Sequence, residues 1–316
     1  MKHTAVLLIV ACFLVLLLVP FGIGNYSVRL FTTVFLYSAL ALSWNFIGGF
    51  AGYPSFATSA FFGLGAYTAG IAQHHGVPMV GAWLIGMITC SIFSITFGAA
   101  ILRLKGHYFA VGSLIVADVL REIINTSTSV TGGGMGLNIP VFTSNPEVFG
   151  RVFYSAMLAL MMIALVCTIW VKYSKTGFAL RCIQQNEDAS NVLGINTTGY
   201  KIFAFALSGS IAGTAGAIYG SWVSYIDPAD AFDILISVKP IIMTLMGGPG
   251  TVFGPIIGAV AFLLFEEVVW RNFMTIHEGL LGLIVVGLIL FLPKGVLQIR
   301  HTRSRAWSYV RAWMSR

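Results

Sequence analysis

Long apolar runs that are poor in charged residues follow one another along most of the chain. A helix needs about 20 apolar residues to cross the hydrocarbon core of a bilayer. The candidate runs are 4–20, 30–49, 55–73, 79–102, 107–124, 152–171, 202–224, 236–247, 254–270 and 279–293. The last three are short and are interrupted by glycine or polar residues. Because they are continuous rather than alternating, they argue against an outer-membrane β-barrel. The sequence therefore predicts an all-α, polytopic membrane protein with about ten transmembrane helices.

The scarcity of charge excludes other classes of protein. Only 9% of the residues are charged, against about 25% in a soluble domain. A soluble globule of this size needs more polar surface than that. The composition excludes a cytosolic enzyme, a nucleic-acid-binding domain and a disordered chain, so the net charge of +7 does not indicate nucleic acid.

Lysine and arginine residues are distributed unevenly between the two sides of the predicted helices. With the N-terminus inside, 13 of the 18 fall on predicted cytoplasmic segments or tails. Such segments carry an excess of positive charge, so both termini are predicted to be cytoplasmic. The first run is interpreted as an uncleaved span, with a signal peptide as the alternative.

The predicted spans and their loops make one transmembrane domain over residues 1–297. It includes an outer loop at about 125–151 and a cytoplasmic segment at about 176–194. The basic tail at 298–316 carries Trp307, Tyr309 and Trp313. Arginine and interfacial aromatics suit a helix lying on anionic lipid of the inner leaflet; a disordered tail is the alternative.

Two glycine patterns precede apolar runs about 200 residues apart. Gly48-Gly49 comes before Pro54, and Gly247-Gly248 comes before Pro255. Transporters often contain duplicated halves with interrupted helices along the pathway. The pattern therefore predicts two duplicated halves with glycine-broken helices. Separately, small-x-x-x-small pairs in the run at 202–224 predict close helix packing.

Charged residues also occur within predicted spans. Asp118, Arg121 and Glu122 lie at helical spacing, so Asp118 and Arg121 can pair locally. Such residues are functional candidates in a membrane, and a locally compensated structural cluster is the alternative. The same two interpretations, a functional role or a structural one, are open for the pairs Glu266-Glu267 and Lys239-Pro240.

The cytoplasmic segment has the pattern of one short helix over 178–193. Thr176 stands near its start and Gly194 is placed as a C-terminal cap. One small apolar face is predicted, made by Ala179, Cys182, Ile183, Ala189 and Leu193. Spacing alone leaves two interpretations open: docking into a groove of a partner, or packing on the chain's own helices.

Motifs for catalysis or cofactor binding are missing from the sequence. It contains no nucleotide-binding P-loop, no HExxH and no GxSxG. The four cysteines are widely spaced and form no metal or disulfide framework. No enzymatic activity, cofactor or metal is therefore expected.

An ordered set of segments resembles one known family, the permease subunits of branched-chain amino acid ABC importers, in their M-type. The matching segments are Gly106–Leu114, Ala117–Arg121, Thr131–Leu137 with Ile139-Pro140, Gly177–Arg181 with Asn186-Glu187, Leu193–Ile195, Tyr200-Lys201, Ala212–Ala217 and Gly247–Pro255. Each alone is weak, and the ordered set over about 40–295 is specific.

The resemblance implies a membrane-spanning permease of the bacterial or archaeal cytoplasmic membrane. Implied partners are ATP-binding-cassette ATPase subunits, a second homologous permease and a periplasmic substrate-binding protein. It also implies that the cytoplasmic helix docks on the ATPase, through the segment that contains Arg181, Asn186, Glu187, Asp188, Ala189 and Gly194.

Two further groups of residues are given roles in that interpretation. Candidates for the translocation path are Asn45, Gly48, Gly49, Gly247 and Gly248. Candidates for contact with the binding protein are Thr131, Gly132, Gly133 and Pro140.

Departures from the family pattern leave the substrate open. Asp188 and Ser190 replace the more usual glutamate and alanine, and Lys239-Pro240 stands in a span. The alternative function is an ion-coupled secondary transporter or channel for a small polar solute such as urea or an amide.

Overall fold

The computed structural model describes residues 16–22 and 24–272, and this part of the chain is mainly helical. Its α-helices are α1 Asn25–Trp44, α2 Thr58–His74, α3 Met79–Ile101, α4 His107–Thr126, α5 Thr128–Thr131, α6 Pro146–Tyr173, α7 Lys175–Gln185, α8 Glu187–Val192, α9 Thr197–Val223, α10 Pro228–Ala231, α11 Leu235–Gly247 and α12 Gly254–Asn272. Other short elements are the 3-10 turns Val19–Phe21 and Gly133–Met135, the π-helical segment Asn45–Phe50, and strands β1 Leu137–Asn138 and β2 Tyr225–Ile226.

Eight long helices coincide with eight of the predicted spans. By length and composition, four of them can cross a membrane: Asn25–Phe50, Met79–Ile101, Pro146–Tyr173 and Thr197–Val223. The other four are shorter or carry three charged side chains. Most of the first predicted span, the span at 279–293 and the basic tail lie outside the described residues.

Glycines let α9 approach α2 and α3 closely. A Cβ atom on Gly216 would lie 1.9 Å from the carbonyl oxygen of Phe62, and one on Gly65 would lie 2.0 Å from that of Gly213. On the α3 side, a Cβ on Gly209 would lie 2.6 Å from Ser94. Only glycine permits such backbone contact. The close packing predicted for this span is confirmed.

The outer loop is ordered by a two-stranded ladder. β1 pairs with β2 in antiparallel register, with Leu137 opposite Ile226. Gly136 has φ +74 and a Cβ there would lie 2.6 Å from the Ile226 carbonyl oxygen. The ladder thus ties the loop between α4 and α6 to the end of α9.

The prediction of a single cytoplasmic helix over 178–193 is wrong. Two helices, α7 and α8, are separated at Asn186, whose backbone is extended at φ −161 and ψ 109. The Asn186 side chain accepts a hydrogen bond from the Ala189 N–H at 3.0 Å and so begins α8. Asparagine competes in this way with helix continuation. Gly194, with φ +83, follows the end of α8 in the left-handed conformation.

The two glycine patterns adopt different conformations. Gly48 and Gly49 lie within the π-helical segment, which continues α1 without a break. Gly248 and Gly250 have φ +115 and +71 and form the turn between α11 and α12. The predicted duplication remains a prediction.

Gly216→Ala tests the packing of α2 against α9. The added methyl group must displace the Phe62 carbonyl, and such overpacking costs about 1–3 kcal/mol. We expect a lower melting temperature of the purified protein in detergent. Gly150→Ala is the matched control, because its methyl group would lie 3.7 Å from Val28, an ordinary contact. Equal melting temperatures of the two variants would contradict this packing.

Candidate functional site

A buried lysine holds α8 to the bundle. Lys201 lies in the first turns of α9 and its side chain is 2% exposed. Its Nζ donates to Glu187 Oε1 at 2.6 Å, to the Leu102 carbonyl oxygen at 3.1 Å and to Tyr53 Oη at 3.2 Å. Because an ammonium has three donors, this set satisfies it fully. One side chain therefore joins α8, the end of α3 and the segment after α1.

Tyr53 completes this ion pair. Its hydroxyl donates to Glu187 Oε2 and accepts from Lys201. Burial, and then the bond to Glu187, raises the pKa of Tyr53 above its ordinary value, so the hydroxyl stays protonated. Burial by itself raises the pKa of Glu187, but the hydrogen bonds from Lys201 and Tyr53 outweigh it, and that pKa lies below its ordinary value. The Glu187 carboxyl group is therefore ionised at neutral pH.

A second contact joins α7 to the end of α1. Gln184 Nε2 donates to the carbonyl oxygen of Gly49 at 3.1 Å. Gly52 allows this approach: it has φ +75, and a Cβ there would lie 2.8 Å from the Gln184 Cγ. Helix α7 thus contacts the π-helical segment directly.

Asn45 connects the two glycine patterns. Its Oδ1 accepts from the Gly250 N–H at 2.8 Å, and its Nδ2 donates to the Thr251 carbonyl oxygen at 3.0 Å. A Cβ on Gly49 would lie 1.9 Å from Asn45 Oδ1 and 2.7 Å from the Gly250 nitrogen. The end of α1 therefore packs directly on the turn between α11 and α12.

The remaining predicted path residues surround this junction. Gly48 lies against the Trp44 ring, and a Cβ there would be 2.3 Å from it. Gly247 ends α11, where a Cβ would lie 1.8 Å from the Gly254 carbonyl oxygen. Gly248 follows as the left-handed turn residue. All five residues thus lie at or beside one junction.

Comparison with known proteins agrees with this architecture. Residues 26–293 match a family described as the permease component of branched-chain amino acid transport systems. The high-affinity branched-chain amino acid transport permease LivM of Salmonella typhimurium is 25% identical over 88% of this chain and 71% of its own length. LivH of the same organism is 22% identical over 83% of this chain and 91% of its own.

The chain belongs to this permease family. A solved ABC transporter structure, inward-facing and described as of the metal-chelate type, also has a similar fold. The TM-score is 0.50 at 14% identity, with 92% of this chain and 99% of that chain covered. This permease is therefore a multi-pass membrane protein and a transport component.

Two large apolar side chains are exposed at the end of α8, on its last residue and on the residue that follows it. Val192 is 88% exposed and Leu193 is 78% exposed. Ala179 and Ile183, predicted to share a face with Leu193, are instead buried against the bundle. The break at Asn186 explains this correction, because it rotates α8 relative to α7.

The polar residues of α7 and α8 divide between the two sides. Arg181 is half-buried, whereas Asp188 and Ala189 are exposed. Asp188 pairs with Lys105 at 2.7 Å, and this contact raises the pKa of Lys105. An exposed pair of this kind contributes little to stability.

The charged cluster of α4 is exposed on the isolated chain. Asp118, Arg121 and Glu122 all lie on its outer surface. Within the described residues, no ion pair joins Asp118 to Arg121, although their spacing permits one. The three charges share the surface with Ile115 and Val119.

The predicted contact residues of the outer loop differ in exposure. Thr131 and Gly133 are buried, and the Thr131 hydroxyl donates to the Ile124 carbonyl oxygen at 2.7 Å. Gly132 is half-buried and Pro140 is exposed. Thr131 thus shapes the loop, and the accessible surface includes Pro140 and the neighbouring Met135.

Sequence reasoning missed four residues of the site: Tyr53, Gln184, Lys201 and Thr251. The sequence predicts Lys201 to be a cytoplasmic positive charge and places it in the matching segment Tyr200-Lys201, but it indicates no contact for its side chain. The available signal was its place inside an otherwise apolar helix, four residues after the first residue of α9. No pattern in the sequence indicates that Tyr53 reaches the same ammonium.

Glu187→Gln and Lys201→Met test the ion pair by a double-mutant cycle. Removing one partner of a buried pair costs about 3 kcal/mol or more. Glu187→Gln should destabilise more than Lys201→Met, because Glu187 is 14% exposed and keeps some contact with water, whereas the ammonium has almost none. We expect the double variant to be more stable than Glu187→Gln alone. Additive effects in chemical unfolding would contradict the pair.

The pair also predicts the direction of a pH effect. A carboxyl group whose pKa is lowered on folding stabilises the fold above its unfolded pKa, and this contribution is lost as the pH falls through the folded pKa. For Glu187, whose reference value is 4.5, the loss begins below about pH 5. The wild type should therefore lose more stability than the double variant on acidification from about pH 7 to pH 4.

Proposed function

We propose that this permease is the membrane-spanning subunit of an ATP-driven importer for branched-chain or other small hydrophobic amino acids. It forms the translocation path and couples to a separate ATPase, with no enzymatic activity of its own. The observation that carries the proposal is the Lys201–Glu187–Tyr53 contact. It fixes a short cytoplasmic helix to the bundle on one side while Val192 and Leu193 remain open on the other.

The exposed end of α8 suits docking on an ATPase subunit. An amphipathic helix binds by placing its apolar residues in a groove of the partner. Exposed valine and leucine next to Asp188 provide such a face outside the predicted spans. Motion of α8 would reach the bundle through the Lys201 contact and through Gln184, which binds Gly49.

The junction at Asn45 supports a role in gating. Gly49, which receives the contact from α7, touches Asn45, and Asn45 binds the turn between α11 and α12. A shift of the cytoplasmic helices is thereby passed to three transmembrane helices. Asn45, Gly48, Gly49, Gly247 and Gly248 are our candidates for a gate of the path.

The exposed face of α4 supports a second permease as partner. Charged residues in a membrane face protein or a water-filled cavity, because exposure to lipid is costly. Asp118, Arg121 and Glu122 lie on such a face. Relatives in one organism include two permeases of different name, LivM and LivH. We place the second permease against α4.

The outer loop is our candidate surface for a periplasmic binding protein, through Gly132 and Pro140. This assignment puts the loop outside, α7 and α8 inside, and both termini in the cytoplasm. The membrane is then the cytoplasmic membrane of a bacterium or archaeon.

Energy dependence tests the proposed function directly. Labelled leucine uptake is measured in cells of the source organism with and without this gene. The importer predicts gene-dependent uptake that persists when a protonophore collapses the proton gradient but cellular ATP is maintained. Gene-dependent uptake of urea or an amide that stops with the gradient would instead favour the ion-coupled alternative.

Leu193→Asp tests the docking surface. A buried unpaired carboxylate is unfavourable at an apolar interface, so we expect at least about a tenfold loss of co-purified ATPase and of uptake. Membrane insertion should be unchanged, because Leu193 is exposed. Val141→Asp, an exposed apolar position at the outer end, is the control for ATPase recovery. Full ATPase recovery with Leu193→Asp would contradict docking through α8.

A further inference from the structure

A cavity lies at the end of the bundle opposite the cytoplasmic helices, between α1, α11 and α12. Its volume is about 310 Å³, at the lower end of the range for pockets that hold small molecules. The residues that line it are Leu30, Thr33, Tyr37, Lys239, Leu263, Glu266 and Glu267. None of them takes part in the contacts of Lys201 and Gln184 or in the junction between Asn45 and Gly250.

The cavity combines one cation with two carboxylates. Lys239 Nζ lies 2.7 Å from Glu266 Oε1, and both side chains are mostly buried. Glu267 accepts a hydrogen bond from the Tyr26 hydroxyl, which does not neutralise it. Among the described residues, the lining therefore carries a formal charge of −1. Glu267 makes no ion pair within that part of the chain, and in an apolar surrounding its carboxylate calls for a positive group beside it.

Polar groups in the cavity also retain unused hydrogen-bonding capacity. Lys239 has three donors, and within the described part of the chain its ammonium donates to Glu266 alone. The Tyr37 hydroxyl has no hydrogen-bond partner among the described residues, although its ring lies 5.6 Å from the Lys239 nitrogen. Leu30 and Leu263 supply an apolar wall.

We infer that this cavity binds an amino acid zwitterion with a small apolar side chain. The α-ammonium would lie against Glu267 and Glu266, and the α-carboxylate would accept from Lys239 and Tyr37. The side chain would contact Leu30 and Leu263. The choice of an amino acid, with its acid group, rests on the proposed function, whereas the demand for an ammonium beside the carboxylates rests on the cavity alone.

Helix α1 and its π-helical continuation connect the cavity to the contact between Gly49 and Gln184. α1 carries Leu30, Thr33 and Tyr37 near its beginning, and its continuation carries Asn45 and Gly49. One continuous helical stretch therefore links the zwitterion site to the contact with Gln184. The site lies on the outer side in the predicted topology, where imported substrate arrives.

Binding of labelled L-leucine to the purified full-length chain tests the site. The chain is reconstituted in nanodiscs of phosphatidylcholine, which has no primary ammonium group. We expect saturable binding by the wild type, and binding weakened about tenfold in Glu267→Gln, which loses a charged partner of the ammonium. Tyr37→Phe removes only the unpaired hydroxyl and should weaken binding about threefold or more. Glu147→Gln, an exposed carboxylate of α6, should bind as the wild type does.

Each outcome decides for or against the site. Absence of saturable leucine binding by the wild type overturns the site. Leucine binding by Glu267→Gln and Tyr37→Phe that is as tight as binding by the wild type also overturns it. If Glu267→Gln does not fold, Tyr37→Phe against the wild type decides alone.

Ethanolamine phospholipid offers the same pair of charged groups, so the measurement is repeated in nanodiscs that contain it. Leucine binding that persists there supports the site. Tightly retained ethanolamine lipid that leucine does not displace overturns it. ATP-dependent leucine uptake without binding by the isolated chain refutes this site and leaves the proposed function standing. Leucine binding by the isolated chain without ATP-dependent uptake supports this site and refutes the proposed function.

Discussion

The buried ammonium of Lys201 is the constraint on which the attachment of α8 to this permease depends. Taking a lysine out of water is unfavourable unless every donor finds a partner, and here the partners come from three separate parts of the chain. Three parts of the chain must therefore meet near the beginning of α9: the end of α3, the segment after α1 and the start of α8. Such a contact favours one arrangement of these elements. A helix held in one arrangement can transmit a displacement to the bundle.

From this contact the structure continues toward the membrane through small residues. Gly52 leaves room for the Gln184 side chain, and Gly49 leaves room for Asn45. Gly250 packs closely against Gly49 and donates to Asn45. The polar contacts of α7 and α8 thus meet a junction at which the backbones of Gly49 and Gly250 lie close together. The glycines of α9 provide similar close contact with α2 and α3. Force from an ATPase would enter a bundle whose helices touch backbone to backbone.

Much of the fold could be predicted from the sequence, because bilayer spans have a length and a composition that are visible in one dimension. The glycine patterns were also informative, since all five proposed path residues lie at or beside one junction. The break at Asn186 was missed because a helical pattern of apolar residues continues through it, while the capping side chain acts locally. The role of Lys201 could not be predicted, because its partners are 14, 99 and 148 residues away in sequence. The absent Asp118–Arg121 pair shows that helical spacing permits a contact without requiring it.

Affinity purification of the tagged permease from its native membranes in mild detergent, followed by mass spectrometry, tests the central claim most directly. The claim is that the anchored cytoplasmic helix exists to engage a separate motor subunit. It predicts recovery of an ATP-binding-cassette subunit together with a second permease. Recovery of this chain alone, under conditions that keep a control ABC complex intact, would contradict it.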